Sequence, residues 1–296
     1  MREVFLFPGQ GSEHPGMGGG AVERPGPVRR LVMRASVALG LDMARTIARG
    51  GPSLARTEVA QPALVAVSLG LALEAVGNGV RPFAAAGHSV GELAAFALAG
   101  CLEPEEAVDC TVERARLMGL AARRSPGTMA AVRVASEVEL EQALALGRSV
   151  GWLEVAAHNG PGDWVLSGER AAVGAVASRF SIAPLPVSGP WHSQAMAEAA
   201  VVWRECLQRR SWHPPRILLV ANATGRPVTA EDDPIELLSG QLTGTVLWAE
   251  SLATLAAVAT RWHVFGPGRV LRGLCRASLG TAAAIEVHGE SPELRP

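Results

Sequence analysis

Gly87-His88-Ser89-Val90-Gly91 fits the pattern G-x-S-x-G. In that pattern a serine stands on a strand-to-helix turn too tight for side chains on its neighbours, so glycine occupies both flanks. The turn lifts the Ser89 hydroxyl clear of a sheet and sets it at a helix N-terminus, which favours developing negative charge. The chemistry open to such a serine is nucleophilic attack on an acyl carbonyl. The pattern alone is modestly specific. Its context favours a nucleophile over an ordinary turn, because residues 83–87 are small and apolar and a helical stretch, 90–99, follows. A serine nucleophile needs a base, and the chain has seven histidines. His88 adjoins Ser89, but adjacent side chains on a turn diverge. His192, in Pro190-Trp191-His192-Ser193, falls at a hinge between two units, where a cleft wall can form. On spacing alone His192 is either that base or a buried, hydrogen-bonded core histidine. His213 and His263 read as surface or packing residues.

The elements that would position these residues alternate between strand and helix. Residues 3–7 read as a short buried strand, followed by glycine-rich turns to Gly20. Helical patterns follow near 28–40 and over 62–76, the second opened by Pro62. Pro104 opens another, running to about Arg123. Residues 128–134, 136–146, 152–157, 163–167, 169–179 and 183–187 then read strand, helix, strand, strand, helix, strand, with a turn at Asn159-Gly160-Pro161-Gly162. That is the split βαβ order of a ferredoxin-like unit. A helix from 193, a buried strand over 216–221 and helices near 249–259 and 269–276 complete the pattern. The fold expected is α/β, with a large catalytic subdomain from residues 1–126 and 192–296 and a small ferredoxin-like subdomain from residues 127–191 inserted into it.

Composition narrows the function. Hydrophobic residues make up 48% of 296 residues, enough for a real core. A net charge of −1 gives no global pull toward nucleic acid or anionic membrane. All 27 basic residues are arginine, which excludes a Schiff-base lysine, a P-loop lysine and a Ser–Lys dyad. Cys101, Cys110, Cys206 and Cys275 lie far apart without a C-x-x-C, and the histidines do not cluster along the sequence. Neither a metal site nor a disulfide framework is expected, and free thiols fit a reducing cytoplasm. The apolar run at the N-terminus is too short for a signal-peptide core, and the longer apolar stretches are broken by Gly, Ser or Glu, so no membrane span is expected.

The motifs, taken in order, carry a resemblance over nearly the whole chain. They are Phe7-Pro8-Gly9-Gln10-Gly11-Ser12, Gln61-Pro62-Ala63-Leu64 within Thr57 to Ala66, and Gly87-His88-Ser89-Val90-Gly91-Glu92. Arg114 to Met118, Asn159 with Ser167-Gly168, His192-Ser193-Gln194-Ala195-Met196 and Gly266-Pro267-Gly268 follow. The chain resembles the malonyl-CoA:acyl carrier protein transacylases and the acyltransferase domains of polyketide synthases. That family has an α/β-hydrolase-like body with a ferredoxin-like insert, in agreement with the element order above.

The resemblance implies ping-pong acyl transfer. Ser89 would attack the thioester of a malonyl-type CoA, with His192 as base and the backbone N–H groups of Val90 and Gln10 as oxyanion hole. Family members orient the histidine with a backbone carbonyl, at the position of Gln241 here. A phosphopantetheine thiol on an acyl carrier protein would then take the acyl group. No bound cofactor and no metal are implied. Arg114 would grip the free carboxylate of the acyl group. Arg116 competes in sequence, but two residues on a helix are about 200° apart, so only one can face the cleft. His88 and Asn159 join the substrate-binding set. Trp191 stands where malonyl-type members usually carry Phe and methylmalonyl-type members a small Ser, and it should crowd an α-substituent. One methyl group discriminated by shape is worth about 1–3 kcal/mol, a preference rather than exclusivity. Trp191 and Pro190 both depart from the family's usual residues and leave room for an unusual acyl group. A carrier protein is typically acidic, so Arg123-Arg124, Arg209-Arg210 and Arg269-Arg272-Arg276 are candidate docking cations. The expectation is an enzyme acting in trans, in fatty-acid or polyketide synthesis. The rivals are a hydrolase that clears carrier-protein thioesters and a catalytically dead scaffold.

Overall fold

The computed structural model describes residues 1–289 and has two sheets. Its strands are β1 Glu3–Phe7, β2 Pro82–Gly87, β3 Thr128–Arg133, β4 Leu153–Gly160, β5 Asp163–Gly168, β6 Ile182–Pro184, β7 Leu218–Leu219, β8 Val246–Leu247, β9 Arg261–Phe265 and β10 Ile285–His288. The first sheet runs β10-β9-β1-β2-β7, and every pair in it is parallel. Parallel neighbours need crossover connections, and helices supply them on the sheet's faces. The inner strands are therefore buried throughout: Val4 to Phe7 of β1 and Ala84 to Ala86 of β2 have no exposed surface. Phe7 pairs with Gly87, so both strands deliver their carboxyl ends to one edge, where ligands bind in open α/β sheets.

The second sheet runs β6-β3-β5-β4-β8. Strands β3 to β6 are antiparallel neighbours, and their order is that of a ferredoxin-like unit. Alternation sorts their side chains. Ala130, Val132 and Leu166 pack under the helices Glu137–Arg148 and Arg170–Val176. Met129, Ala131 and Val165, one residue out of phase, face the opposite way into a cleft. The fifth strand, β8, comes from beyond residue 192 and pairs parallel with β4. The second sheet is thus not built from one contiguous segment, and two residues are too few to leave a periodic signal.

The helix read as opening at Pro62 starts earlier. It spans Thr57–Gly77 and carries Pro62 inside it. Proline has no N–H to donate and is disfavoured there, but the extra turn places the Thr57 and Gln61 side chains beside the cleft, and they bond each other at 2.8 Å. The helix is apolar on all sides because other elements cover it. By length and composition it could cross a membrane, yet most of it is buried within the fold. Strands β9 and β10 and the helices Met43–Arg49, Gly51–Ala55 and Pro234–Gly240 are absent from the sequence pattern. His263, read as a surface or packing residue, is buried in the middle of β9.

Candidate active site

Among the described residues, the two non-glycine residues with positive φ are Ser89, at 51°, and His192, at 56°. Such conformations cost about 1–3 kcal/mol each and persist where the surroundings over-determine them. Around Ser89 the surroundings are backbone. A Cβ on Gly87 would fall 2.0 Å from the carbonyl carbon of Gly91, and one on Gly91 would fall 2.4 Å from the Phe7 oxygen. Only glycine allows the strand, the turn and the helix Gly91–Leu98 to approach so closely. Asn222, just past β7, braces the turn: its Oδ1 accepts from the Ser89 N–H at 2.7 Å, and its Nδ2 donates to the Gly87 carbonyl at 2.6 Å. Around His192, the Ser193 hydroxyl closes the loop by donating to the Pro190 carbonyl at 2.7 Å.

The two strained residues meet. Ser89 Oγ lies 2.7 Å from His192 Nε2, and His192 Nδ1 lies 2.8 Å from the carbonyl oxygen of Gln241. The carbonyl can only accept, so Nδ1 carries the proton and Nε2 is bare toward the serine. Burial, and then the nearby Arg114 cation, push His192 down to about 3, while the Gln241 carbonyl pulls the other way. The ring is therefore neutral at physiological pH and can accept a proton.

Arg114 is buried in the helix Pro104–Arg124, whereas Arg116 is exposed and paired with Glu113 at 2.9 Å. The Arg114 guanidinium donates to two amide oxygens, Gln61 Oε1 at 2.5 Å and Gln241 Oε1 at 2.7 Å, and its Nη2 comes within 3.4 Å of Ser89 Oγ. Among the described residues no carboxylate forms a salt bridge with it. Burial lowers it to about 10, and the charge of Glu92 opposes that shift. Glu92, wholly buried, is raised to about 7 by desolvation, against hydrogen bonds from the Asn222 N–H, at 2.6 Å, and the Gln241 side chain. Gln241 Nε2 also donates to the Ser89 carbonyl at 3.0 Å, so one glutamine touches serine, histidine, arginine and glutamate.

The remaining residues singled out from the sequence surround the same cleft, of about 320 Å³. Gln10, Val90 and Trp191 line it, and among the described residues neither the Gln10 nor the Val90 backbone N–H meets a protein acceptor. Thr57 donates to the Gln10 side chain at 2.8 Å. His88 turns away from the serine, and its Nε2 meets Asn159 Oδ1 at 2.9 Å, linking the elbow to β4. Sequence reasoning gave no role to Asn222, Glu92 or Gln61, and none to the Gln241 side chain. Gln61 and Glu92 fall inside quoted motifs. Asn222 carries no local signal, because its partners are more than 130 residues away along the chain.

A serine on a strained strand-to-helix elbow, with an imidazole delivered by a distant segment, is the arrangement of serine acyl-transfer enzymes. Residues 4–265 match the family model described as acyl transferase domain, and the chain belongs to that family. It is 31% identical over 280 residues to the malonyl CoA-acyl carrier protein transacylase of Synechocystis sp., covering 93% of each chain. It is 31% identical over 281 residues to the polyketide biosynthesis malonyl CoA-acyl carrier protein transacylase PksC of Bacillus subtilis, covering 92% of this chain and 95% of that one. The crystal structure of the Synechocystis malonyl-CoA:ACP transacylase superposes with a TM-score of 0.89 at 30% identity, over 98% of both chains.

Proposed function

We propose that the protein transfers a malonyl-type acyl group from CoA, through an ester on Ser89, to the phosphopantetheine thiol of an acyl carrier protein in fatty-acid or polyketide synthesis. The observation that carries this reading is Arg114, a buried cation bonded to neutral amides and 3.4 Å from the Ser89 hydroxyl. A buried cation with no carboxylate bonded to it is costly, and a planar guanidinium takes a carboxylate in two parallel hydrogen bonds. An acyl group bound there carries its carboxylate close to its carbonyl, as malonyl does across one methylene.

In this scheme Ser89 Oγ attacks the thioester carbonyl while His192 Nε2 takes its proton. The Gln10 and Val90 N–H groups hold the oxyanion, and a donor of that kind is worth about 3–4 kcal/mol. Collapse breaks the C–S bond, and His192 returns the proton to the departing CoA thiolate. The pantetheine thiol then gives its proton to His192 and attacks the acyl-serine; as the C–O bond breaks, that proton passes to Ser89. Gln241 holds the imidazolium through its carbonyl. The cycle balances on two thiols and two side chains and needs no bound cofactor. The docking face lies on the helix Arg269–Leu279, whose Val270, Leu271 and Leu274 line the cleft. Among the described residues Arg269, Arg272 and Arg276 have no acidic partner, whereas Arg123 and Arg124 are paired with Glu58 and Glu198.

The test is competition among acyl-CoAs, read as the mass of the adduct on the intact protein, with and without a phosphopantetheinylated carrier protein. A malonyl adduct on Ser89 that is discharged only by the carrier is expected. Release of free acid at the same rate without carrier would replace transfer by hydrolysis.

A further inference from the structure

Linear spacing hides one histidine cluster. His263 and His288 are 25 residues apart, yet β9 and β10 run parallel with Glu286 paired to His263, so residues 286 and 288 fall on the His263 face. His263 Nδ1 and His288 Nε2 point at each other across 2.9 Å. One oxygen of Glu286 lies 3.8 Å from the first nitrogen and the other 3.8 Å from the second. On its far side His263 Nε2 is bonded to the Glu3 carboxylate of β1. A carboxylate there holds the proton on Nε2, so the Nδ1 lone pair accepts from His288 Nε2–H; a metal ion displacing that proton would meet the carboxylate–histidine arrangement found behind metal-binding histidines. The His288 ring is fixed by stacking on Phe265, with centroids 4.5 Å apart and planes 13° apart.

We propose that His263, His288 and Glu286 bind a divalent late transition-metal ion at the edge of the first sheet, with Glu3 orienting His263. The three donor groups all lie within 4.8 Å of one another and border a cavity of about 510 Å³ that can hold completing waters. Arg81 and Arg261 line the same cavity, and Glu3 and Glu286 offset their charge. Two nitrogens 2.9 Å apart subtend about 90° at a metal–nitrogen distance of about 2.1 Å. That is a cis angle of square or octahedral geometry, which suits Ni²⁺ or Cu²⁺; tetrahedral Zn²⁺ asks the nitrogens to part to about 3.3–3.4 Å. The site is not catalytic. Glu3 starts β1 and Phe7, beside the serine elbow, ends it, about 13 Å further on at strand rise. The ion would pin the edge strand β10 to β9 and through Glu3 to β1, and would stabilise the fold by mass action.

The test uses tag-free full-length protein, stripped with chelator and titrated with Ni²⁺, Cu²⁺ and Zn²⁺ by calorimetry and thermal melting. One equivalent of Ni²⁺ or Cu²⁺ is expected, with a rise in Tm that chelator reverses. His288→Asn, at a half-buried position, and Glu286→Gln, at an exposed one, should each lose that uptake. Glu3→Gln should weaken it by about 10–100-fold. Acylation by malonyl-CoA should be unchanged in His288→Asn, which separates this site from His88 and His192. No stoichiometric uptake, or uptake that persists in both His288→Asn and Glu286→Gln, overturns the proposal.

Discussion

The two walls of the cleft are held by different forces. On the first-sheet side the polar groups around Ser89 are tied to one another. Asn222 takes both ends of the elbow, Gln241 spans serine and arginine, and Glu92 accepts from both Asn222 and Gln241. On the second-sheet side the wall is mainly Met129, Ala131, Ala157 and Val165, with Asp163 at its rim and Asn159 as its polar bridge to His88. A satisfied polar network fixes geometry but tolerates little change, whereas apolar packing tolerates shape change at modest cost. The difference suits a transfer enzyme. The reacting atoms need fixed partners, while the cleft must admit and release CoA and a carrier's pantetheine arm in turn.

If chemistry resides in the first wall, its substitutions should remove rate without unfolding the protein. Ser89→Ala should give no acyl adduct by intact-mass spectrometry. His192→Ala should slow adduct formation by about 10²–10⁴-fold, the usual share of a general base. A melting curve close to that of the wild type would show that the fold survives. An adduct of normal mass and rate on Ser89→Ala would move the nucleophile elsewhere and end the contrast between the walls.

Arg114→Ala comes next in size. Removing one partner of a buried charge pair costs about 2–5 kcal/mol, so malonyl kcat/KM should drop by roughly 30-fold or more. Acetyl-CoA, which has no carboxylate, should be affected far less. Parallel rate measurements with the two thioesters read the selectivity directly, and an unchanged malonyl-to-acetyl ratio would take Arg114 out of the acyl site.

Each wall is legible in the sequence only in part. The serine elbow is legible because glycine is obligatory at Gly87 and Gly91, and steric need writes itself into local sequence. The βαββαβ order is legible because most of its elements are long enough to show their period, β6 with its three residues being the exception. Partners separated by long stretches of chain are not. Asn222 reaches the elbow only after β7 joins the sheet, and β8 joins the second sheet through two residues. Proline favours a first turn, but tertiary burial overrides that preference in the helix Thr57–Gly77, which begins five residues before Pro62. Gln61 lies in that added turn.

Glu92 gives a smaller, pH-dependent test of the first wall. Its folded pKa, raised from 4.5 to about 7, means that the native state keeps a proton which the unfolded chain releases near 4.5. Stability from this group therefore falls as pH rises from 4.5 to about 7, and the full penalty stands above that. His192 acts in the opposite sense. It stays neutral in the fold down to about 3 while the unfolded chain takes a proton near 6.5, so stability falls as pH drops through that window. Glu92→Gln removes only the first effect. Its Tm relative to the wild type should improve from pH 5 to about pH 7 and level off above that, and a difference that does not change with pH would show that Glu92 is not held protonated. Acylation should show no loss from protonation of His192 between pH 8 and pH 5.

The smallest effect should come from the second wall. Asn159→Ala removes the partner of His88 Nε2 and leaves a buried ring nitrogen unpaired, at a cost of about 1–3 kcal/mol to stability. Burial already holds His88 below its ordinary pKa, and the bond to Asn159 opposes that shift, so its loss leaves the ring neutral. No proton in the proposed cycle passes through His88. The variant should therefore melt a few degrees lower and raise the KM for malonyl-CoA, with kcat for transfer changed less than in any first-wall variant. Steady-state kinetics against both malonyl-CoA and carrier protein separate the two constants. A loss of kcat comparable to that of Arg114→Ala would mean that Asn159 takes part in the chemistry from the second sheet, and the division of labour between the walls would have to be redrawn around the His88–Asn159 link.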